Sequence, residues 1–100
     1  MAKRPNKSEV VEYLWGIHDR TFEVCRIEVT RGGMMTLWTA RGPSDPHPIH
    51  PSGTAADEAR IAFDLSDVHS IPSFVRGTES ETKLIAELGE KAKEKKAAAG

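Results

Sequence analysis

Over residues 22–30 apolar and polar side chains alternate, with Cys25, Ile27 and Val29 on one side and Arg26, Glu28 and Thr30 on the other. That is the period of a half-buried strand. Residues 34–40 are apolar on both faces and predict a return strand in the middle of the sheet. Gly32 and Gly33 lie between them and mark a hairpin, for which two loop lengths fit. A loop of Gly32 and Gly33 alone sets Ile27 opposite Trp38 and Val29 opposite Thr36. A loop that also takes in Arg31 sets Ile27 opposite Leu37 and Val29 opposite Met35. The second register gives the more apolar inner face and is preferred; it places Trp38 beside Arg26 and Glu28 on the outer face.

Residues 9–17 support two readings. Asn6 and Glu9 are spaced as a helix cap with its reciprocal acid, and Val10, Val11, Leu14 and Trp15 recur at helical spacing, with His18 extending that face. Val11, Tyr13, Trp15 and Ile17 also alternate as a strand would. The capping pattern tips the expectation toward a short N-terminal helix ending near Gly16. Residues 42–57 contain Pro43, Pro46, Pro48 and Pro51 with Gly42 and Gly53, and predict a long Pro-rich loop. Ile61, Phe63 and Leu65 then alternate with Arg60, Ala62 and Asp64, which predicts a further strand over 59–65. After a turn at Ser66, Asp67 and Val68, a short edge strand is expected over 69–72, stopped by Pro72. Thr78 and Glu81 are spaced as a capping box, and Leu84, Ile85, Leu88 and Ala92 form one stripe of a C-terminal helix.

The fold class that follows is α+β: a small, strongly twisted antiparallel sheet or barrel-like meander with a C-terminal helix. The order of strand, RGG turn, strand, long loop and IAFDLSDVHSI is similar to that of small barrel domains. Residues 1–7 are expected as a disordered basic tail, 8–90 as a single domain, and 91–100 as a frayed helix end and tail. One hundred residues suffice for one modest core and no second fold.

The net charge of −1 gives no whole-chain attraction to nucleic acid or to an anionic membrane. The front of the chain is mildly basic and the middle mildly acidic. A lone cysteine rules out an internal disulfide, and no apolar run approaches a transmembrane length or a signal-peptide core, so a cytoplasmic location is expected.

Candidate chemistry is sparse. His47 and His50, with Asp45 nearby, resemble part of a metal-ligand set, with His69 as a distant complement; a closed site needs four ligands, so no metal and no cofactor is assigned. Cys25 falls on the inner face, where a thiol is an inert small hydrophobe. The glycines lack the spacing and the lysine of a phosphate loop. No catalytic set emerges, and the reading is of a non-enzymatic domain that binds another protein as an adaptor or an inhibitor. Arg26, Trp38, Glu28 and Arg31 are the expected contact residues, with self-association through open sheet edges as a further expectation. The alternative is a nucleic-acid-binding or transcription-related module using Arg20, Arg26, Arg31, Trp38 and Arg41.

Overall fold

The computed structural model of the chain describes residues 7–99. The elements run β1 Val10–His18, β2 Val24–Thr30, β3 Met34–Thr39, β4 Gly42–Pro43, β5 His47–Pro48, α1 Ala55–Phe63, β6 Leu65–Pro72, a 3₁₀ turn Ser73–Val75 and α2 Glu79–Ala99. All six strands belong to one antiparallel sheet in the order β4-β3-β2-β1-β6, with β5 also paired to β3. Helix α1 packs on one face and α2 on the other, so the α+β class read from the sequence holds.

The β2–β3 hairpin adopts the three-residue loop. Gly33 takes φ +82° and donates its N–H to Thr30 O at 3.0 Å, closing a tight turn that ends on a left-handed residue. Ile27 therefore faces Leu37, Val29 faces Met35 and Arg26 faces Trp38. Arg31 and Gly32 in the loop donate their N–H groups to Glu9 O and Lys7 O, so the chain entering β1 is stitched to the hairpin tip. Asn6, the cap expected for an N-terminal helix, lies outside the described residues.

The N-terminal helix is replaced by strand β1, and burial explains why. β1 sits between β2 and β6 with both faces covered: Leu14 joins the core under α1, while Ile17 joins the core under α2. A central strand covered on both sides is apolar at nearly every position, so helical spacing appears in it by default. Gly16 pairs with Cys25 in mid-strand, where a Cβ would press on Val68 of β6 at 3.0 Å.

The strand expected over 59–65 is instead the second half of α1. Thr54 caps this helix, its Oγ1 accepting the Asp57 N–H at 3.2 Å, and Asp57 and Glu58 in the first turn suit its positive end. Ala59 is fully buried, with Ala55, Ala56, Ala62 and Phe63 packed beside it. Ile61, which alternation pointed inward, is 77% exposed. Asp64 ends the helix in the left-handed region at φ 53°, and β6 starts at the next residue.

The Pro-rich stretch is not one long loop. β4 and β5 run along the outer edge of β3, held between them by Ser44, whose N–H donates to Leu37 O at 2.8 Å and whose Oγ accepts the Leu37 N–H at 3.0 Å. The last part of the stretch belongs to α1. Prolines suit this edge because a strand's outer side has no ladder bond to lose. β6 begins earlier than expected and pairs with β1 through a register shift between Trp15 and Ile17, with Asp67 at φ 53°. Pro72 ends it, as expected, and the 3₁₀ turn follows.

The C-terminal helix starts after Thr78, whose Oγ1 accepts the Glu81 N–H at 3.5 Å. Leu88 and Ala92 are buried against Ile17, with Leu84, Trp15 and Val24 flanking them. The frayed end expected from residue 91 is helical to Ala99, because Ala92 still packs and Lys95 pairs with Asp67 at 3.3 Å. Among the described residues no helix is long and apolar enough to cross a membrane.

Candidate binding face

Strand parity puts Arg26 and Glu28 of β2, and Met34, Thr36 and Trp38 of β3, on the sheet face that α2 shares. α2 packs on β1 and β2, its apolar contact being with Trp15, Ile17 and Val24. Trp38, Thr36 and Met34 lie outside that contact and stay half-buried.

Three side chains converge there. The Arg26 guanidinium lies 5.2 Å from the Trp38 ring centroid, the Trp38 Nε1–H donates to Glu28 Oε1 at 2.7 Å, and Arg26 Nη2 is 3.6 Å from Glu28 Oε2. Arg26 Nε is buried and has no acceptor among the described residues. A part-exposed ion pair is worth at most about 1 kcal/mol and an exposed cation–π contact about the same. An unmet buried donor costs about 1–3 kcal/mol. The Trp38–Glu28 hydrogen bond, made to a charged acceptor, is worth about 1.5–3 kcal/mol, so the cluster's gain is of the same size as the cost of the unmet Arg26 donor.

Towards the hairpin tip the same face opens into a mainly apolar cavity of about 400 Å³ lined by Lys7, Ser8, Thr30, Gly32, Met34 and Pro46. Further across the same face, on β1, Arg76 lies 5.0 Å from the Tyr13 ring centroid and donates to its hydroxyl. The buried Glu81 carboxylate accepts from Trp15 Nε1 at 3.0 Å and from the Gly77 N–H at 2.7 Å. Of the three aromatic groups on this side of the sheet, Tyr13 and Trp15 are thus tied to the chain that follows β6, and Trp38 is tied within the hairpin. Met34 and Thr36 were readable as neighbours of Trp38 from parity alone. Arg76 and Glu81 were not, because they arrive from more than 60 residues away.

The remaining sequence candidates scatter. Arg31 sits in the hairpin loop, where Nε and Nη2 donate to Glu9 Oε2 at 3.1 and 3.0 Å. It lies five residues from Arg26, about 17 Å along a strand, and is not part of the cluster. Arg20 is in the β1–β2 turn and Arg41 in the β3–β4 turn, at the end of the hairpin opposite Arg31. Arg41 borders a second cavity of about 320 Å³ with His18, Thr21, Glu23 and Thr39. Of the five residues considered for nucleic acid, only Arg26 and Trp38 touch.

His47 rests edge-on against Phe63, with ring centroids 5.9 Å apart, and its Nδ1 is 3.0 Å from Pro48 O. The Nδ1 of His50 accepts the Ser52 N–H at 3.2 Å and lies 2.8 Å from Ser52 Oγ. Each imidazole serves its own loop, and among the described residues no three of His, Cys, Asp and Glu are grouped so as to hold a metal ion.

Cys25 is 1% exposed, and burial, with a smaller push from the Glu23 charge, raises its thiol from 9.0 to about 11. At pH 8 the native protein should resist alkylation by iodoacetamide while the urea-unfolded chain reacts, as a mass-spectrometric time course will show. Linkage follows the same sign. The folded state keeps a proton that the unfolded state releases, so this contribution to stability is whole below pH 9 and lost as pH rises from 9 to 11.

Comparison with protein-family models, curated proteins and solved structures finds no match to this chain.

Proposed function

We propose that this protein is a non-enzymatic binding domain, an adaptor or inhibitor that engages another protein through the outer face of β2 and β3. The observation that carries the reading is the Trp38–Arg26–Glu28 cluster, left outside the apolar contact of α2 beside an apolar cavity at Met34. Tryptophan and arginine are the residues most enriched in interface hot spots, and a neighbouring pocket can receive an apolar anchor from the partner. The interleaved Glu28 favours a protein over a polyanion, since it sets a carboxylate beside the arginine that stacks on Trp38.

The test is capture of partners from a native lysate by the intact protein, followed by titration of the purified partner against wild type, Trp38→Ala and Arg26→Ala. Truncating a hot-spot tryptophan should weaken binding by about 30-fold or more. Folded variants that bind as wild type does would overturn the reading. Retention on single-stranded nucleic acid that falls with salt and is lost in both variants would replace it with the nucleic-acid module.

A further inference from the structure

The two edges of the sheet are finished differently. The β3 edge is covered by β4 and β5, which bring Pro43 and Pro48 to the outside of the sheet. β6 pairs with β1 on one side only, and among the described residues no strand pairs with its other side. Natural edges are usually blunted by lysine, proline or a covering element. β6 carries a bulge at Asp67, but beyond it the stretch from Val68 to Ile71 has no lysine, arginine or proline.

The direction of its backbone groups can be worked out. The His18 N–H donates to Glu23 O across the β1–β2 pairing, so alternate β1 residues back to Glu12 turn toward β2, and Tyr13 and Trp15 turn toward β6. Their partners Ile71 and His69 accordingly turn inward, and Val68 and Ser70 present N–H and C=O groups outward.

We propose that β6 pairs antiparallel with β6 of a second copy of this chain, about a two-fold axis at His69. The strand is self-complementary in that register. Val68 of each copy faces Ser70 of the other, so that two outward pairs each exchange both N–H···O bonds. The only carboxylate on the strand, Asp67, stands at the bulge outside the paired stretch and already pairs with Lys95 of its own chain. An end-on register about Ser70 is poorer because it sets Val68 against Pro72, which has no N–H to give. Phe74, 83% exposed just beyond Pro72, comes alongside the start of the partner strand and adds apolar area to an interface otherwise made of backbone. The five residues from Val68 to Pro72 span about 17 Å, a contact below the roughly 800 Å² per partner of a standard interface, so the dimer is concentration-dependent. Neither Trp38 nor its neighbours take part, and this inference stands apart from the proposed function.

Sedimentation velocity on the intact protein tests it over a series from about 1 µM to about 500 µM, the range in which an interface of this size should assemble. The expected result is a monomer–dimer equilibrium in wild type and monomer throughout in His69→Lys, which sets two charges face to face on the axis. Ser70→Pro removes an outward N–H together with the Ser70 Oγ–Glu12 hydrogen bond and is likewise expected to be monomeric, with circular dichroism as the check on folding for both. Ile61→Lys, on the exposed side of α1, is expected to leave the equilibrium unchanged. A wild type that stays monomeric at the highest concentration overturns the proposal and leaves the edge to some other chain. A dimer that survives His69→Lys in the folded protein overturns it equally, and one lost only in Ile61→Lys moves the interface to α1.

Discussion

Replacing Leu88 by alanine should cost about 3 kcal/mol, within the range of about 2–5 kcal/mol for a buried leucine. Leu88 is fully buried, and the core it belongs to is small: Ile17 and Ala92 complete it, with Trp15, Val24 and Leu84 around the rim. No second apolar layer stands behind it to relax into the space, so most of the cavity should persist. Apart from this cluster, α2 reaches the sheet through the Glu81–Trp15 hydrogen bond and the Lys95–Asp67 ion pair. Neither replaces apolar burial, because a part-exposed pair contributes at most about 1 kcal/mol. In a domain with about 5–15 kcal/mol in total, the loss is a large share. The urea midpoint should fall, and Trp15 emission should shift to the red before the main transition as α2 lifts away. Lys91→Ala, on the exposed side of the same helix, should stay within about 0.5 kcal/mol of wild type. A Leu88→Ala protein as stable as that control would show that α2 is not a structural layer.

Gly16→Val should cost at least about 2–3 kcal/mol, for reasons of space. A Cβ at this position meets Val68 Cγ2 at 3.0 Å, Ser66 O at 3.3 Å and Leu65 Cβ at 3.5 Å. Alanine already requires Val68 to shift, and valine adds two methyls beside a backbone oxygen that has little freedom to move. Gly16→Ala should therefore cost about 1–2 kcal/mol, and Val68→Ala in that background should recover part of it, since the two side chains contend for one site. Chemical denaturation of the two single variants and the double variant provides the cycle. Additive losses, or a stable Gly16→Val protein, would mean that β1 and β6 are not in the close approach described.

Local sequence was sufficient wherever a pattern had a single geometric solution. In the hairpin two loop lengths fitted, and the demand for apolar residues on one face favoured the three-residue loop that the structure adopts, with Arg26, Glu28 and Trp38 together on the opposite face. The C-terminal helix was readable because Thr78 starts it and its stripe is narrow. The candidate face was thus legible as far as Arg26, Glu28 and Trp38. Arg31 belonged to the same forecast and is engaged elsewhere, because the entry to β1 folds back onto the hairpin tip and brings Glu9 to it.

What the sequence by itself determined is the hairpin, narrowed to two registers of which the structure adopts the preferred one, the buried side of Cys25, the stop at Pro72 and the type of the last helix. The tertiary structure decided the state of segments whose patterns suit two states. Residues 10–18 are a strand because two neighbouring strands and two helices cover them, and apolar demand on both faces erases the periodicity that distinguishes strand from helix. Residues 55–63 are a helix because their alanines fit close beneath the sheet, a demand made by the surface they cover and invisible in their own alternation. The open edge at β6 is likewise a product of topology. Strand order is set by contacts between residues far apart in the chain, and it alone decides which strand is left with an unpaired side.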